Sequence, residues 1–261
     1  MLGGEVSGEE TSPYETEAAL CEYLLFHYGS EEETLSLGAG PRDGLRFAVR
    51  TVTELADLET LPATGASAFD IGCAVGRSSF ELSRFCDEVT GLDFSESFVN
   101  AAEMLKREGE LKYRYLIQGE RFADALARVP ADARPEKVTF VTGDACDLSP
   151  ALGAFHLVHA ANLLCRLPEP EAFLRSLSTL IRPGGQLLLA TPFTWLDSFT
   201  PRDKWLGGQT EGPTSFETLC GVLEADFRLE HEADLPFLLR EHERKFQYGV
   251  SKGMRWRRLE S

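Results

Sequence analysis

Strands and helices alternate between residues 67 and 226 of this 261-residue chain, which predicts an α/β fold around a mainly parallel sheet with helices on both faces. Two features sharpen that expectation. A turn of small residues, Asp70–Gly76, joins the first strand to the helix after it. Two strand-like runs, near 227–236 and 245–258, follow the last helix with no helix between them, so they are expected to close one edge as an antiparallel hairpin. Five strands and these two make a seven-stranded sheet whose last strand is antiparallel.

Taken in order, residues 1–12 are acidic and Gly-rich and read as a disordered lead-in. Residues 13–29 place Leu20, Tyr23, Leu24 and Phe26 on one helical face and stop at Gly29. A second helix is expected over 45–60, with Phe47, Val49, Val52 and Leu55 inward. Residues 13–64 are thus expected to cap one end of the sheet, and 65–261 to form the core. The run SAFDIG (67–72) is a strand, 78–87 an amphipathic helix, 88–94 a second strand and 96–108 a helix. Residues 109–135 are charged and weakly patterned, with turn signals in PADARP (130–135). Strands follow at 137–144 and 155–162, and a helix at 168–181 is broken by Pro183-Gly184-Gly185. A strand (186–192), a loop (193–213) and a helix (214–225) lead into the terminal hairpin.

Composition excludes several classes of function. The net charge of −16 is the wrong sign for a sequence-independent nucleic-acid binder or for an anionic membrane surface. The basic run Arg255–Leu259 reads as a solvated tail. No run approaches the roughly 18 to 20 apolar residues that span a bilayer. The first residues lack the basic start and apolar stretch of a signal peptide. Six scattered cysteines (21, 73, 86, 146, 165 and 220) form no CxxC pair and no metal-ligand spacing. A cytoplasmic protein with reduced cysteines and no metal is expected.

The chemistry concentrates at strand ends. Asp70-Ile71-Gly72-Cys73-Ala74-Val75-Gly76 lies between a strand and a helix, where a tight turn and close backbone approach to a ligand both call for small residues. A plain β–α connection would look similar. Asp93 ends the second strand, 23 residues after Asp70, where a carboxylate can accept both hydroxyls of a ribose; a helix cap is its bland alternative. Gly143-Asp144-Ala145 ends the third strand, where a carboxylate and a backbone N–H can read the edge of adenine.

In combination, Asp70–Gly76, Asp93, Asp144, the strand ending in Asn162, and Arg182-Pro183-Gly184-Gly185 resemble the ordered motifs of the Rossmann-like class I S-adenosylmethionine (SAM) methyltransferases, over about residues 65–258. Ala74 departs from the second glycine common there, and Phe155-His156 from the usual aromatic–acidic pair, which favours a structural place for His156. The resemblance implies that Asp70, Gly72 and Gly76 contact the methionine part, Asp93 the ribose, and Asp144 with Ala145 the adenine. Cys73, Ala74, Phe94, Ser95, Gly143 and Ala160 complete the implied cofactor-binding set, with S-adenosylhomocysteine (SAH) as the product.

A narrower resemblance rests on Tyr14–Glu17, Leu25–Gly29, Asp70–Phe80, Ala160–Leu167, Thr191–Leu196, Thr200–Gly208 and Pro236–Gln247. Together these are similar to the 5-thiohistidine N-methyltransferases of ovothiol biosynthesis, which occur as the C-terminal domain of ovothiol synthase and as stand-alone proteins. This implies methyl transfer to an imidazole ring nitrogen of 5-thiohistidine, giving ovothiol A. The sulfoxide-synthase region of the fused enzyme has no counterpart in these residues, so a separate protein is implied for the C–S bond chemistry.

Such an acceptor needs a cation for its carboxylate and hydrogen bonds that fix its ring. The candidate catalytic residues are Asn162 and Tyr14. The candidate substrate-binding residues are Tyr28, Asn162, Thr194, Trp195, Lys204 and Arg240. Each has a plainer reading: Asn162 as a turn cap, Tyr14 and Tyr28 as packing, Trp195 as a loop anchor, and Lys204 and Arg240 as solvated charge. His27, on an apolar helix face, reads as a core residue. Three other functions compete. A methyltransferase for another small amine, thiol or hydroxyl shares every motif. A non-catalytic SAM-binding protein would not need the aromatic segments at 191–208. A nicotinamide-dependent dehydrogenase uses a similar turn, but Asp144 and the closing hairpin argue against it.

Overall fold

The computed structural model describes residues 13–149 and 152–260, so the expected lead-in at 1–12 lies outside the described residues. Helices α1 (Glu17–Tyr28), α2 (Glu31–Thr34) and α3 (Phe47–Thr53) precede β1 (Ser67–Ile71), α4 (Arg77–Leu82), β2 (Glu88–Asp93) and α5 (Glu96–Glu108). A hairpin of β3 (Glu110–Gln118) and β4 (Arg121–Arg128) comes next, then β5 (Val138–Thr142), β6 (Phe155–Ala161) and α6 (Pro170–Leu180). The chain continues through β7 (Ile181–Thr191), α7 (Ser215–Leu223), β8 (Phe227–His242) and β9 (Lys245–Arg258).

Seven strands form one sheet in the order β5-β2-β1-β6-β7-β9-β8. The first five are parallel, and β9 runs antiparallel to both β7 and β8. This is the Rossmann-like seven-stranded sheet expected from the sequence, with the antiparallel hairpin at one edge. All five residues of β1 are buried, as a central parallel strand covered on both faces requires. Strand order reverses at β1 and β6, and a crevice opens at the carboxyl ends of strands that diverge in this way.

Local sequence explains the helix that positions the second strand end. Ser95 caps α5 by accepting from Phe98 N at 3.2 Å, and Gly109 ends it in the left-handed region at φ 76°. Between them Phe98, Val99, Ala101, Ala102 and Leu105 recur at helical spacing and are all buried.

Four details differ from the sequence expectation. The helix expected over 45–60 ends at Thr53, because the backbone of Asp57 is held by the side chain of Gln186 from β7 (2.9 and 2.8 Å). The weakly patterned segment 109–135 contains the β3–β4 hairpin, whose alternation buries Tyr113 and Tyr115 and turns at Gly119 (φ 56°). The Pro183-Gly184-Gly185 break lies inside β7, where the register jumps from Phe155↔Ile181 to Leu157↔Gln186. The β8 strand runs six residues past the expected end at 236, to His242, and projects beyond the sheet toward the hairpin.

Candidate functional site

The turn after β1 is built for close approach. Gly72 has φ 75°, Ala74 47° and Gly76 84°, a succession that L side chains adopt only with strain. The N–H groups of Gly72 and Cys73 both donate to Leu92 O (2.7 and 3.0 Å), tying the turn to the end of β2. A Cβ on Gly76 would lie 2.6 Å from the Phe140 ring, so glycine is required there by packing as well as by φ. Gly72 keeps open surface.

Asp93 is fixed from behind. Its Oδ2 accepts Ala74 N at 2.8 Å and its Oδ1 accepts Ser95 N at 2.9 Å. Each carboxylate oxygen keeps a further lone pair for a ribose hydroxyl. Burial pushes the Asp93 carboxyl above its ordinary pKa, against the lowering effect of those N–H groups. Next to it the Phe94 ring is 65 % exposed, an apolar face suited to cover a nucleoside. Gly143 N donates to Asp93 O (2.9 Å), which sets Asp144 at the neighbouring strand end. The Asp144 side chain is exposed and uses Oδ1 to accept Cys146 N at 2.8 Å, and Ala145 packs below. In sheet order, adenine, ribose and methionine recognition would fall over β5, β2 and β1.

Four residues expected to touch the cofactor are corrected. Asp70, Cys73, Ser95 and Ala160 are each 0 % exposed and offer a ligand no surface. Asp70 instead anchors the turn from inside. Its Oδ1 lies 2.7 Å from His159 Nδ1, and its Oδ2 accepts Ser78 Oγ and Ser79 Oγ at 2.7 and 2.6 Å. His159 Nε2 continues to Thr51 Oγ1 at 3.0 Å, linking β1 and β6 to α3. Burial raises the Asp70 pKa, but the His159 ring and the bonds from His159, Ser79 and Ser78 outweigh it and hold the carboxyl below its ordinary value. Ser95 caps α5 and donates to Tyr14 O at 3.2 Å.

The residues read from the sequence as candidates for the acceptor lie at the ends of β6 and β7. Asn162 follows β6 in the left-handed region (φ 54°), its N–H donating to Ala190 O at 2.8 Å. Ser251 Oγ of β9 donates to Asn162 Oδ1 at 2.6 Å, which leaves Asn162 Nδ2 without a partner among the described residues. Tyr14 packs among aromatic rings, 5.9, 6.1 and 6.1 Å from those of Tyr23, Phe98 and Phe199. Arg166 Nε donates to Tyr14 Oη at 3.2 Å, and Arg166 Nη1 to Thr194 O at 3.3 Å. The Thr194 side chain is exposed.

Other candidates are placed elsewhere. Tyr28 Oη donates to Val75 O at 2.8 Å and so braces the glycine turn from outside. Trp195 Nε1 donates to Ser215 Oγ at 3.0 Å, an anchor for the loop after β7. Lys204 pairs with Glu169 Oε2 at 3.1 Å beside α6 and is corrected to surface charge. Arg240 is corrected too: it is 3 % exposed and bonded to Glu33 O, Thr34 O and Ser36 Oγ, with its guanidinium over the Tyr115 ring. It lies five residues along β8 from Leu235, the register partner of Ser251, roughly 17 Å at the usual strand rise. Arg166, Tyr23 and Ser251 are not among the site candidates read from the sequence. Arg166 and Tyr23 lie in stretches that did attract notice, but only the fold shows which way they face. Burial drives the His27 imidazole down to about 3, and its Nδ1 has no partner among the described residues. Among the described residues no group of three or more His, Cys, Asp or Glu side chains is arranged to hold a metal, and no helix is long and apolar enough to cross a membrane.

Comparison with known proteins agrees with this geometry. A methyltransferase-domain family model matches residues 69–189. The ubiquinone biosynthesis O-methyltransferase of Xanthomonas euvesicatoria is 27% identical over 131 residues, 50% of this chain and 45% of that protein. That of Xanthomonas oryzae (strain PXO99A) is 26% identical over the same length, so the chain spans less than half of these curated relatives. Among solved structures, the N-methyltransferase NodS of Bradyrhizobium japonicum bound to SAH superposes with a TM-score of 0.50 at 16% identity, covering 92% of this chain and 99% of its own. The magnesium protoporphyrin IX methyltransferase of Synechocystis with bound SAH gives 0.51 at 19% identity, covering 85% and 90%. A SAM-dependent methyltransferase from Methanosarcina mazei gives 0.53 at 17% identity, covering 78% and 96%. The fold is therefore that of the Rossmann-like class I methyltransferases, and residues 69–189 match the methyltransferase-domain family model.

Proposed function

We propose that the chain transfers the methyl group of SAM to an imidazole ring nitrogen of 5-thiohistidine, giving ovothiol A. The observation that carries this reading is the direct bonding between stretches that resemble that enzyme family. Tyr28 bonds to Val75, Arg166 to Tyr14 and Thr194, and Thr200 Oγ1 to Leu167 O (2.7 Å). Segments from residues 14 to 200 thus bond to one another at the carboxyl ends of the strands.

The residues present suit the cofactor: a glycine turn accessible at Gly72, a carboxylate anchored with spare lone pairs, an exposed aromatic residue and an exposed adenine-edge carboxylate. When bound, SAM supplies a methyl group made electrophilic by its sulfonium. The rest is alignment. With SAM bound, a lone pair on the ring nitrogen would form the new C–N bond as the S–CH3 bond breaks, the electron pair would stay on sulfur, and the methylated ring would lose its N–H proton to solvent. A neutral imidazole needs no dedicated base. The competing thiolate is the better nucleophile, so the site must hold the ring nitrogen on the methyl axis. Asn162, rigid in backbone and fastened by Ser251, has Nδ2 available to orient the ring.

A second reading, methyl transfer to a hydroxyl, draws support from the O-methyltransferases among the relatives. The test is mass spectrometry of products from SAM with 5-thiohistidine, histidine and a catechol. A single ring-nitrogen methyl on 5-thiohistidine supports the first reading. Turnover of the catechol alone replaces it with the second. The reading also calls for a sulfoxide-synthase activity upstream and sets the reaction in the cytoplasm.

A further inference from the structure

Two guanidinium groups that are not exposed have no carboxylate paired with them among the described residues: Arg166 and Arg240. Arg240 lies at the far end of β8. Arg166 stands beside Tyr14 and Thr194, on the short turn after β6, and everything that holds it is neutral. Nε donates to Tyr14 Oη at 3.2 Å, and Nη1 to Cys165 O and Thr194 O at 3.1 and 3.3 Å. The Phe199 ring covers one face, 4.9 Å from Cζ. Both N–H bonds of Nη2 lack an acceptor among the described residues. A cation fixed by neutral groups and partly desolvated by a ring carries charge that an incoming anion would balance.

Sheet order indicates which anion. The nucleoside side of the cofactor falls over β5 and β2 and its methionine over the Gly72 turn after β1. The next strands in order are β6 and β7, and Arg166 bridges the loops that follow them. An anion held there belongs to the molecule that meets the methyl group from the far side. We infer that Arg166 holds the carboxylate of the methyl acceptor, making the acceptor an α-amino acid. This rests on the proposed function and supplies the cation that Lys204 and Arg240 do not. Two fixed points, the carboxylate at Arg166 and the ring at Asn162, restrict rotation of the acceptor and so decide which of its nucleophiles faces the methyl group.

The test uses the whole chain with Arg166→Gln and Arg166→Lys, SAH titration calorimetry, and kinetics on 5-thiohistidine and its decarboxylated amine. Arg166→Gln is expected to raise KM for the amino acid roughly 10- to 100-fold. SAH affinity is expected to stay within about twofold of wild type, and KM for the decarboxylated amine to be the same in both proteins. Arg166→Lys should recover part of the loss. A fall in SAH affinity to match the rise in KM would overturn the inference, since the guanidinium would then hold the cofactor's carboxylate. So would equal losses on both acceptors, or an unchanged KM. If 5-thiohistidine is refused but another α-amino acid is methylated in an Arg166-dependent way, the proposed function falls and the inference stands. If no α-amino acid is methylated, both fall.

Discussion

Replacing Gly76 by alanine tests how the glycine turn is built. Two costs follow from the structure. At φ 84° a side chain incurs about 1–2 kcal/mol of backbone strain. The new Cβ would stand 2.6 and 2.9 Å from Cζ and Cε1 of Phe140 and 3.0 Å from Ala102 Cβ. The Phe140 ring cannot swing away freely, because it is 6 % exposed and edge-on to Phe80 at 5.5 Å. Overpacking of this kind costs about 1–3 kcal/mol. Gly76→Ala should therefore lose about 2–5 kcal/mol, or roughly 5–15 °C in Tm. Gly72→Ala is the internal comparison. Its φ of 75° is similar, but its nearest neighbour is the flexible end of Leu163 at 3.2 Å, so only the backbone cost of about 1–2 kcal/mol should remain. Urea denaturation of both variants, and of Gly76→Ala combined with Phe140→Leu, gives the cycle. A favourable coupling of about 1–2 kcal/mol between the two substitutions is expected. Equal losses for Gly72→Ala and Gly76→Ala, with no coupling to Phe140, would refute the claim that the ring excludes a side chain there.

Other outcomes follow from single contacts. Ser251→Ala removes the donor that fixes Asn162 Oδ1, and kcat for methyl transfer should fall roughly 10- to 100-fold with SAH affinity unchanged; an unaltered kcat would mean that Asn162 orientation does not matter. Tyr28→Phe deletes the bond to Val75 O and should cost about 1 kcal/mol in unfolding free energy while weakening SAH binding, measured by calorimetry; equal SAH affinity would show that the turn needs no outer brace. Burial, and then the charge of Glu241, lifts Glu22 from 4.5 to about 7. A carboxyl whose pKa is higher folded than unfolded binds more protons in the native state, so stability is lost as pH rises from 4.5 through 7. Glu22→Gln should abolish that slope and gain roughly 1–2 kcal/mol at about pH 8, after allowance for screening by solvent. Melts that run parallel from about pH 5 to 8 would count against it.

The sheet was legible from sequence because each strand–helix alternation carries its own period and each boundary its own turn residues. The positions of Asp93 and Asp144 at strand ends were legible because each follows a short apolar strand run, Asp93 one β–α unit after the glycine turn and Asp144 at the end of the strand that pairs with β2. The β3–β4 hairpin was harder, since Tyr113 and Tyr115 face inward while Lys112 and Arg114 face solvent, and the charged half hides the alternation. The burial of Asp70 depends on His159, 89 residues away, and on Thr51 before it, a long-range arrangement that no local pattern encodes. Lys204 and Arg240 lie in the charged runs Arg202–Lys204 and Arg240–Lys245, whereas Arg166 is a lone cation in Leu163–Leu167, so charge patterning pointed away from it. Only the fold sets Lys204 beside α6, Arg240 far along β8 and Arg166 next to Tyr14.

The place of β9 governs when the crevice can be completed. It is made after β8 yet lies between β7 and β8, so until residues 245–258 leave the ribosome, β7 presents a free edge of Leu187, Leu188 and Leu189. Through that interval the nascent chain is exposed to edge-to-edge association. The cofactor-side strands can pair earlier, while Asn162 waits for Ser251, which arrives on the last strand. Lesions that slow β9 insertion should thus appear as lost yield of protein during synthesis, even where the finished molecule would be stable.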